Sequence, residues 1–415
     1  MSIVKMKRLR LIGMRDQREE LLRLLQHMGC VEISEPEDRR EDPEWASLTR
    51  PDPAPLNRAR EAKASAEAAL KTLKKYAPKQ KESLLKARPT ITESQLFDNG
   101  SYEQALSDAG ALNALEGEIA ALYAEQSKLR AQRLSLSPWL ELDLPLETAS
   151  TAEVAVSFGT VANSVDLDAL EAALAAATDL FQVLRAGSDT ELKYLVLLCH
   201  KSGEEACQEV LKEFGFARSA LRGWTGTAAE NDRRLAGQLE ENQKKLEQAM
   251  AAAAAYGPKK AALELCLERS SQEISREEAR CRLLDTGTAY LLEGWVPVPD
   301  EEALLKKLAQ YDCCWETEDP AEEDYRMVPV KLKNNAFTRP MNMVTDMYSL
   351  PAYGSVDPNP LMAPFFILFY GMMLADMGYG LIMMIVSLVV MKMRKPNGDT
   401  TRHMFPLMGL CGIST

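Results

Sequence analysis

The segment LMAPFFILFYGMMLADMGYGLIMMIVSLVVM, Leu361 to Met391, limits the possible folds more than any other part of the chain. Between Pro360 and Lys392 it holds a single charge, Asp376, at its centre. One straight helix of this length would reach about 46 Å, beyond the roughly 30 Å of a bilayer's hydrocarbon core. Two legs broken at Asp376-Met377-Gly378-Tyr379-Gly380 would reach about 22 Å each. The basic cluster Lys392, Arg394, Lys395 and Arg402 favours the cytoplasmic side of a membrane, and everything upstream reads as water-soluble. Both ends on one side predict a transmembrane hairpin over 361–391 with Asp376 near its apex. A further apolar run over 403–415 reads as the start of a next transmembrane helix in a longer membrane protein.

The other residues are hydrophilic. A net charge of -12 and a pI near 5.1 argue against a nucleic-acid partner, which calls for a basic stripe. The eight cysteines show no paired spacing, and Cys266 and Cys281 fall in helical patterns, so a reducing compartment is expected. The opening MSIVKMKRLRLIGM interleaves charges with apolar residues and is not a signal peptide.

Periodicity divides the soluble part into two lobes and a rod. Residues 1–50 read as strand, helix, strand, with Gly29 stopping the helix, and 288–330 supply a matching second half. Between them lie a forward arm (51–136) and a return arm (229–287). Leu112, Leu115, Ile119, Leu122, Leu129 and Leu136 fall on alternating three and four spacings, with Gln126 and Arg133 filling two seam positions, and Leu235, Leu239, Leu246, Tyr256, Leu263, Leu267, Ile274 and Leu284 carry the same rhythm. Such spacing predicts an antiparallel two-helix coiled coil. Breaks are expected near Pro78 to Gly100 and at Gly257-Pro258. Residues 137–228 follow the order strand, helix, strand, strand, helix, strand, the ferredoxin-like split pattern. The fold class is α+β: two ferredoxin-like α/β lobes joined by the coiled coil, then a linker (331–360) and an α-helical transmembrane region.

This organisation, together with NNAFTRPMNMVTDMYSLPAYGSVDPNP and APFFILFYGMMLADMGYG, resembles the membrane stator subunit family of V-type and A-type rotary ATPases, called subunit a or subunit I. The resemblance covers the whole chain and is most specific over Asn334 to Gly380. It implies a non-catalytic subunit of the cell membrane, multi-pass, with a large cytoplasmic N-terminal domain. It further implies peripheral stalk subunits, the proteolipid ring and the lipid bilayer as partners, proton or sodium transport as the outcome, and no cofactor. The family's ring-facing arginines lie in late transmembrane helices, and nothing in these residues matches them. A membrane-tethered coiled-coil sensor, a homodimer with parallel helices, is the rival.

The candidate residues are few. Asp376, with Gly378, Tyr379 and Gly380, forms the membrane motif; Asp376 reads as the hydrated apex of a hairpin or as part of an ion path, the first being preferred. In the linker Asn335, Arg339, Pro340, Asp357 and Pro358 carry the motif, and Arg339 could anchor to lipid headgroups or to a stalk. His200 with Cys199 and Cys207 has poor metal spacing and reads as core packing, and Cys313-Cys314 lack a metal partner. No phosphate-binding loop, catalytic triad or zinc signature occurs.

Overall fold

The computed structural model describes residues 2–35, 48–77, 91–219, 221, 223–394 and 399–415. In chain order come β1 (Met6–Met14), α1 (Arg18–Met28), β2 (Glu32–Ile33), α2 (Ala54–Tyr76), α3 (Glu93–Leu96) and α4 (Asn99–Leu136). Next are β3 (Val154–Ala162), α5 (Leu167–Ala177), β4 (Phe181–Ser188), β5 (Leu192–His200), α6 (Glu204–Glu213) and β6 (Ala217–Arg218). They are followed by α7 (Ala228–Ala255), α8 (Lys260–Cys281), β7 (Leu284–Asp285), β8 (Ala289–Pro297), α9 (Val298–Leu308) and β9 (Cys313–Glu318). The last elements are α10 (Asn342–Tyr348), α11 (Asn359–Leu374), α12 (Met377–Arg394) and α13 (Asp399–Ser414). They divide into two compact units, one drawn from both chain ends and one spanning Gly110–Pro258 with Lys71–Pro78.

In the first unit an antiparallel sheet runs in the order β2-β8-β1-β9, with β7 paired to β8, which is the ferredoxin-like arrangement. Period-two alternation sets its faces: Leu9 and Leu11 are buried against Leu21, Leu22 and Leu25 of α1 and Leu304 and Leu308 of α9, whereas Ile12 and Met14 stay exposed. Helix α1 stops at Gly29, whose φ of 58° suits a residue without a side chain. The two-helix expectation needs correction here, because three helices share one core: Ala66 of α2, Ala105 of α4 and Cys266 of α8 pack together. Short side chains let three axes approach, and alanines do not print the leucine rhythm by which a coiled coil is recognised. Arg269 of α8 closes the start of α4, donating to the Asp98 carbonyl (3.0 Å) and Asn99 Oδ1 (2.7 Å) while lying 4.1 Å over the Tyr102 ring.

In the second unit the sheet order is β4-β5-β3-β6. One face carries Leu195 and Leu197 against Leu170 and Leu174 of α5 and Cys207 and Leu211 of α6. Its other face packs Val196 and Ala186 on Trp139, Leu136 and Leu235. Trp139 meets Phe158 and Tyr194 edge-on at 5.8 and 5.3 Å. Helices α4 and α7 run antiparallel, tied by Gln126 to Gln243 (2.9 Å) and by a bidentate Arg133–Asp232 pair (2.7 and 3.0 Å). The return arm is interrupted by a 3-10 turn, Gly257–Lys259, that contains Pro258. Residues 78–90, where most of the forward break is expected, lie outside the described residues.

The segment 331–360 forms a 3-10 turn (Arg339–Met341) and α10, and lies along the later helices, with Met341 fully buried beside Ala363, Leu407 and Cys411. Among the described residues no helix is long and apolar enough to cross a membrane. The chain turns at Ala375 and Asp376, leaving legs of 16 and 18 residues that rise about 24 and 27 Å. The next helix begins at Asp399 rather than at His403 and packs against both legs. Of the expected basic cluster, the Arg394 side chain and Lys395 lie outside the described residues.

Candidate functional site

The motif residues gather where the segment 331–360 meets the apolar helices. Ser2 to Val4 pair with residues 331–333 through Val4 N to the Lys331 carbonyl (2.9 Å) and Lys333 N to the Ser2 carbonyl (2.7 Å). Tyr353 accepts at its hydroxyl from Met6 N (3.0 Å) and stands edge-on to Tyr325 at 5.2 Å. Met6, Trp295 and Val328 close a small core beside it. These contacts fix the segment to the sheet of the first lobe.

Asn335 begins the motif. Its Oδ1 accepts from Phe337 N (3.1 Å), Thr338 N (2.9 Å) and the Thr338 hydroxyl (3.0 Å), a side-chain turn that starts the 3-10 turn holding buried Pro340. Arg339 is exposed and has no side-chain partner among the described residues. At the other end Asp357 is buried; its Oδ1 accepts from Asn359 N (2.9 Å), while its Oδ2 is enclosed without a partner. The Pro358 carbonyl receives Leu361 N and Met362 N, which opens α11.

What joins the two ends was absent from the sequence reading. Asn342 Oδ1 accepts from Asn334 Nδ2 (2.8 Å) and from Asn359 Nδ2 (3.0 Å), and the Thr345 hydroxyl donates to Asn359 Oδ1. Asn359 is fully buried, and Thr338 and Thr345 nearly so. Buried amides are tolerated because each finds a partner, and satisfied networks of this kind fix one arrangement of the chain. The usable signal was the i, i+3 spacing of Asn342 and Thr345, two polar residues on one face of a short helix otherwise rich in methionine.

The membrane motif is built differently. Asp376 is exposed and its Oδ1 accepts from Gly378 N (2.8 Å) and Tyr379 N (3.4 Å), so its role here is to cap the start of α12. Ala375 before it has a left-handed φ of 44°, which makes the sharp turn. Tyr379 and Gly378 are exposed, whereas Gly380 is buried against α13: a side chain there would come within 2.9 Å of the Gly412 carbonyl. Ser387 donates to the Phe405 carbonyl (2.6 Å) two turns further on, beside Gly409. The outward side chains of α11 and α12 are apolar and open, among them Phe365, Phe369, Leu381, Ile385 and Leu388.

The remaining candidates are structural. His200 Nδ1 accepts from Ser202 N (3.2 Å) at a turn, and Cys199 and Cys207 sit in the core of the second lobe. Among the described residues no group of three or more His, Cys, Asp or Glu is placed to hold a metal ion.

Residues 230–411, under half of the chain, match the model of the V-type ATPase 116kDa subunit family. An A-type ATP synthase subunit I of Methanocaldococcus jannaschii is 28% identical over all of this chain and 63% of its own length. Another, from Thermococcus kodakarensis, is 37% identical over 29% of this chain and 18% of that protein. A crystal structure of the cytoplasmic N-terminal domain of subunit I, homolog of subunit a, of V-ATPase covers 75% of this chain and 99% of that one at 19% identity and a TM-score of 0.41. The chain thus spans less than two thirds of the first of these relatives. The resemblance of the sequence to the subunit I family is borne out.

Proposed function

We propose that this chain is part of a non-catalytic stator subunit of a V/A-type ion-translocating rotary ATPase. The observation that carries the reading is the family match over 230–411, which takes in α8, strands β7 to β9, the asparagine network and the apolar helices as one continuous stretch. In this reading the two lobes hold peripheral stalk subunits and resist the torque that the proteolipid ring delivers. The subunit contributes to proton or sodium translocation across the cell membrane, with its lobes on the cytoplasmic side.

The apolar exterior of α11 and α12 supports placing them in lipid, where such side chains are stable and water would be excluded. Legs of 16 and 18 residues require a locally thinned bilayer or further helices alongside. Asp376 then lies at a headgroup interface, where its carboxylate remains hydrated while capping α12.

The test is isolation of the full-length protein from its native membrane in a mild detergent. Ring and peripheral stalk subunits are expected to co-purify. Repeated recovery of the protein alone, with the detergent shown to keep other membrane complexes together, refutes the stator reading.

A further inference from the structure

Four arginines from distant parts of the chain converge on one hollow in the first unit. Arg15 and Arg18 come from the junction of β1 and α1, Arg50 from the segment before α2, and Arg280 from the last turn of α8; with Asp52 and Asp285 they line a cavity of about 320 Å³. That volume is at the lower end of the roughly 300–1,000 Å³ of small-ligand pockets. Arg18 and Arg280 are 8% and 7% exposed.

Their hydrogen bonds do not use up their donors. Arg18 gives Nη1 to Asp285 Oδ2 at 2.5 Å; its Nε is enclosed with no partner, and so is Asp285 Oδ1. Arg280 gives Nε to Glu277 and Nη2 to the Asp52 carbonyl, both at 2.6 Å. Arg15 and Arg50 are exposed at the rim and have no ion pair among the described residues. Asp52 is already engaged, its Oδ1 receiving Ala54 N at the start of α2. Asp285 and Glu277 balance the two buried cations and Asp52 one of the rim pair, so the four arginines carry one positive charge in excess. The remaining positive charge at the rim favours an anion in the hollow, and an enclosed unpartnered donor is uncommon enough in folded proteins to require an explanation.

We propose that this hollow binds a phosphate group, carried either by free phosphate or by a lipid headgroup. The flat guanidinium fork matches two oxygens of a tetrahedral phosphate, and Arg18 presents an unused N–H edge to it. Arg15 and Arg50 supply the charge that draws the anion in. The inference is independent of the stator reading, which assigns these residues no role.

The experiment uses the full chain in phosphatidylcholine nanodiscs. Orthophosphate is titrated at constant ionic strength against chloride and sulfate, and followed by unfolding temperature and calorimetry. The double variant R15Q/R50Q alters only rim residues and should keep its unfolding temperature in chloride. It should bind phosphate about tenfold more weakly or worse, because two charge-assisted contacts are removed. R18K keeps a cation beside Asp285 but lacks the fork, and should weaken binding by a similar factor. A parallel arm places phosphatidic acid in the nanodisc: if a headgroup is the source, this lipid and not orthophosphate stabilises the wild-type chain and fails to stabilise R15Q/R50Q. The proposal is overturned if neither source stabilises the wild-type chain, if sulfate or chloride does as well, or if the variants respond equally. It is likewise overturned if an acidic peptide, and not a phosphate, shows the variant-sensitive binding.

Discussion

Replacing Asn359 by alanine isolates the polar network that ties α10 to α11. The change removes two hydrogen bonds, one to Asn342 Oδ1 and one from the Thr345 hydroxyl. Neither partner is left entirely without recourse: Asn342 keeps Asn334 Nδ2, and the Thr345 hydroxyl lies 3.4 Å from the Met341 carbonyl. The loss is therefore about 2–3 kcal/mol, two net hydrogen bonds plus a modest penalty for incomplete compensation. Because the network spans one local region, local opening should fall in stability by that amount while both sheets are untouched. Amide exchange is the assay: Ser349 N and Met362 N, which bond to the Thr345 and Pro358 carbonyls, should exchange about 30- to 150-fold faster. Asn335→Ala serves as the comparison, since Asn335 is exposed and water can take its place. Equal exchange in the two variants, or no acceleration in N359A, would refute the reasoning that burial makes this network strong.

Gly380→Leu should destabilise the packing of α12 on α13 by about 2 kcal/mol or more, because the obstructing atom is a backbone carbonyl that cannot swing aside; faster exchange confined to α13 is the readout, and unchanged exchange contradicts the close packing. In the second lobe burial, followed by the neighbouring Cys207 thiol, pushes the Cys199 thiol up to about 11 from 9.0. A raised folded-state value means that this contribution to stability is complete below pH 9 and is lost as pH climbs from 9 toward 11. Cys199→Ala should therefore lose less stability than the native chain across that window, and parallel unfolding curves from pH 8 to 11 would exclude the effect. Cysteines replacing Gln126 and Gln243 should oxidise to a bridge within one chain, as two facing antiparallel helices require; a predominantly interchain bridge on a denaturing gel would favour the homodimeric sensor.

Periodicity made the sheets readable because each strand has one wet and one dry face: Leu9 and Leu11 alternate with Arg8 and Arg10, and burial follows the alternation. It also located Gly29 and the interruption around Pro258. Helix α2 was harder to place. Ala59, Ala66 and Ala69 are half of its buried residues, and alanine is equally at home in solvent, so only Leu56 and Leu73, near its two ends, mark the covered face. The region from Asn334 to Asn359 looks like a loop by composition, since asparagine and proline usually mark turns. Here the amides bond to one another, and a pairing between Asn342 and Asn359 leaves no trace in local spacing. The arginine hollow was hidden for the same reason: Arg18 and Arg280 are remote in sequence and meet only through the fold.

The central strand of the first sheet, β1, has β8 and β9 as its neighbours, with Met6 opposite Pro297. A ribosome adds about 5–20 residues each second, so this strand must wait roughly 15–60 s for its first partner to be made. Residues 110–258, by contrast, are contiguous and can settle early. During translation the chain thus carries an open, half-apolar strand ahead of a finished lobe, and a holding chaperone that shields Leu9 and Leu11 over that interval would decide how much of the nascent protein reaches its native pairing.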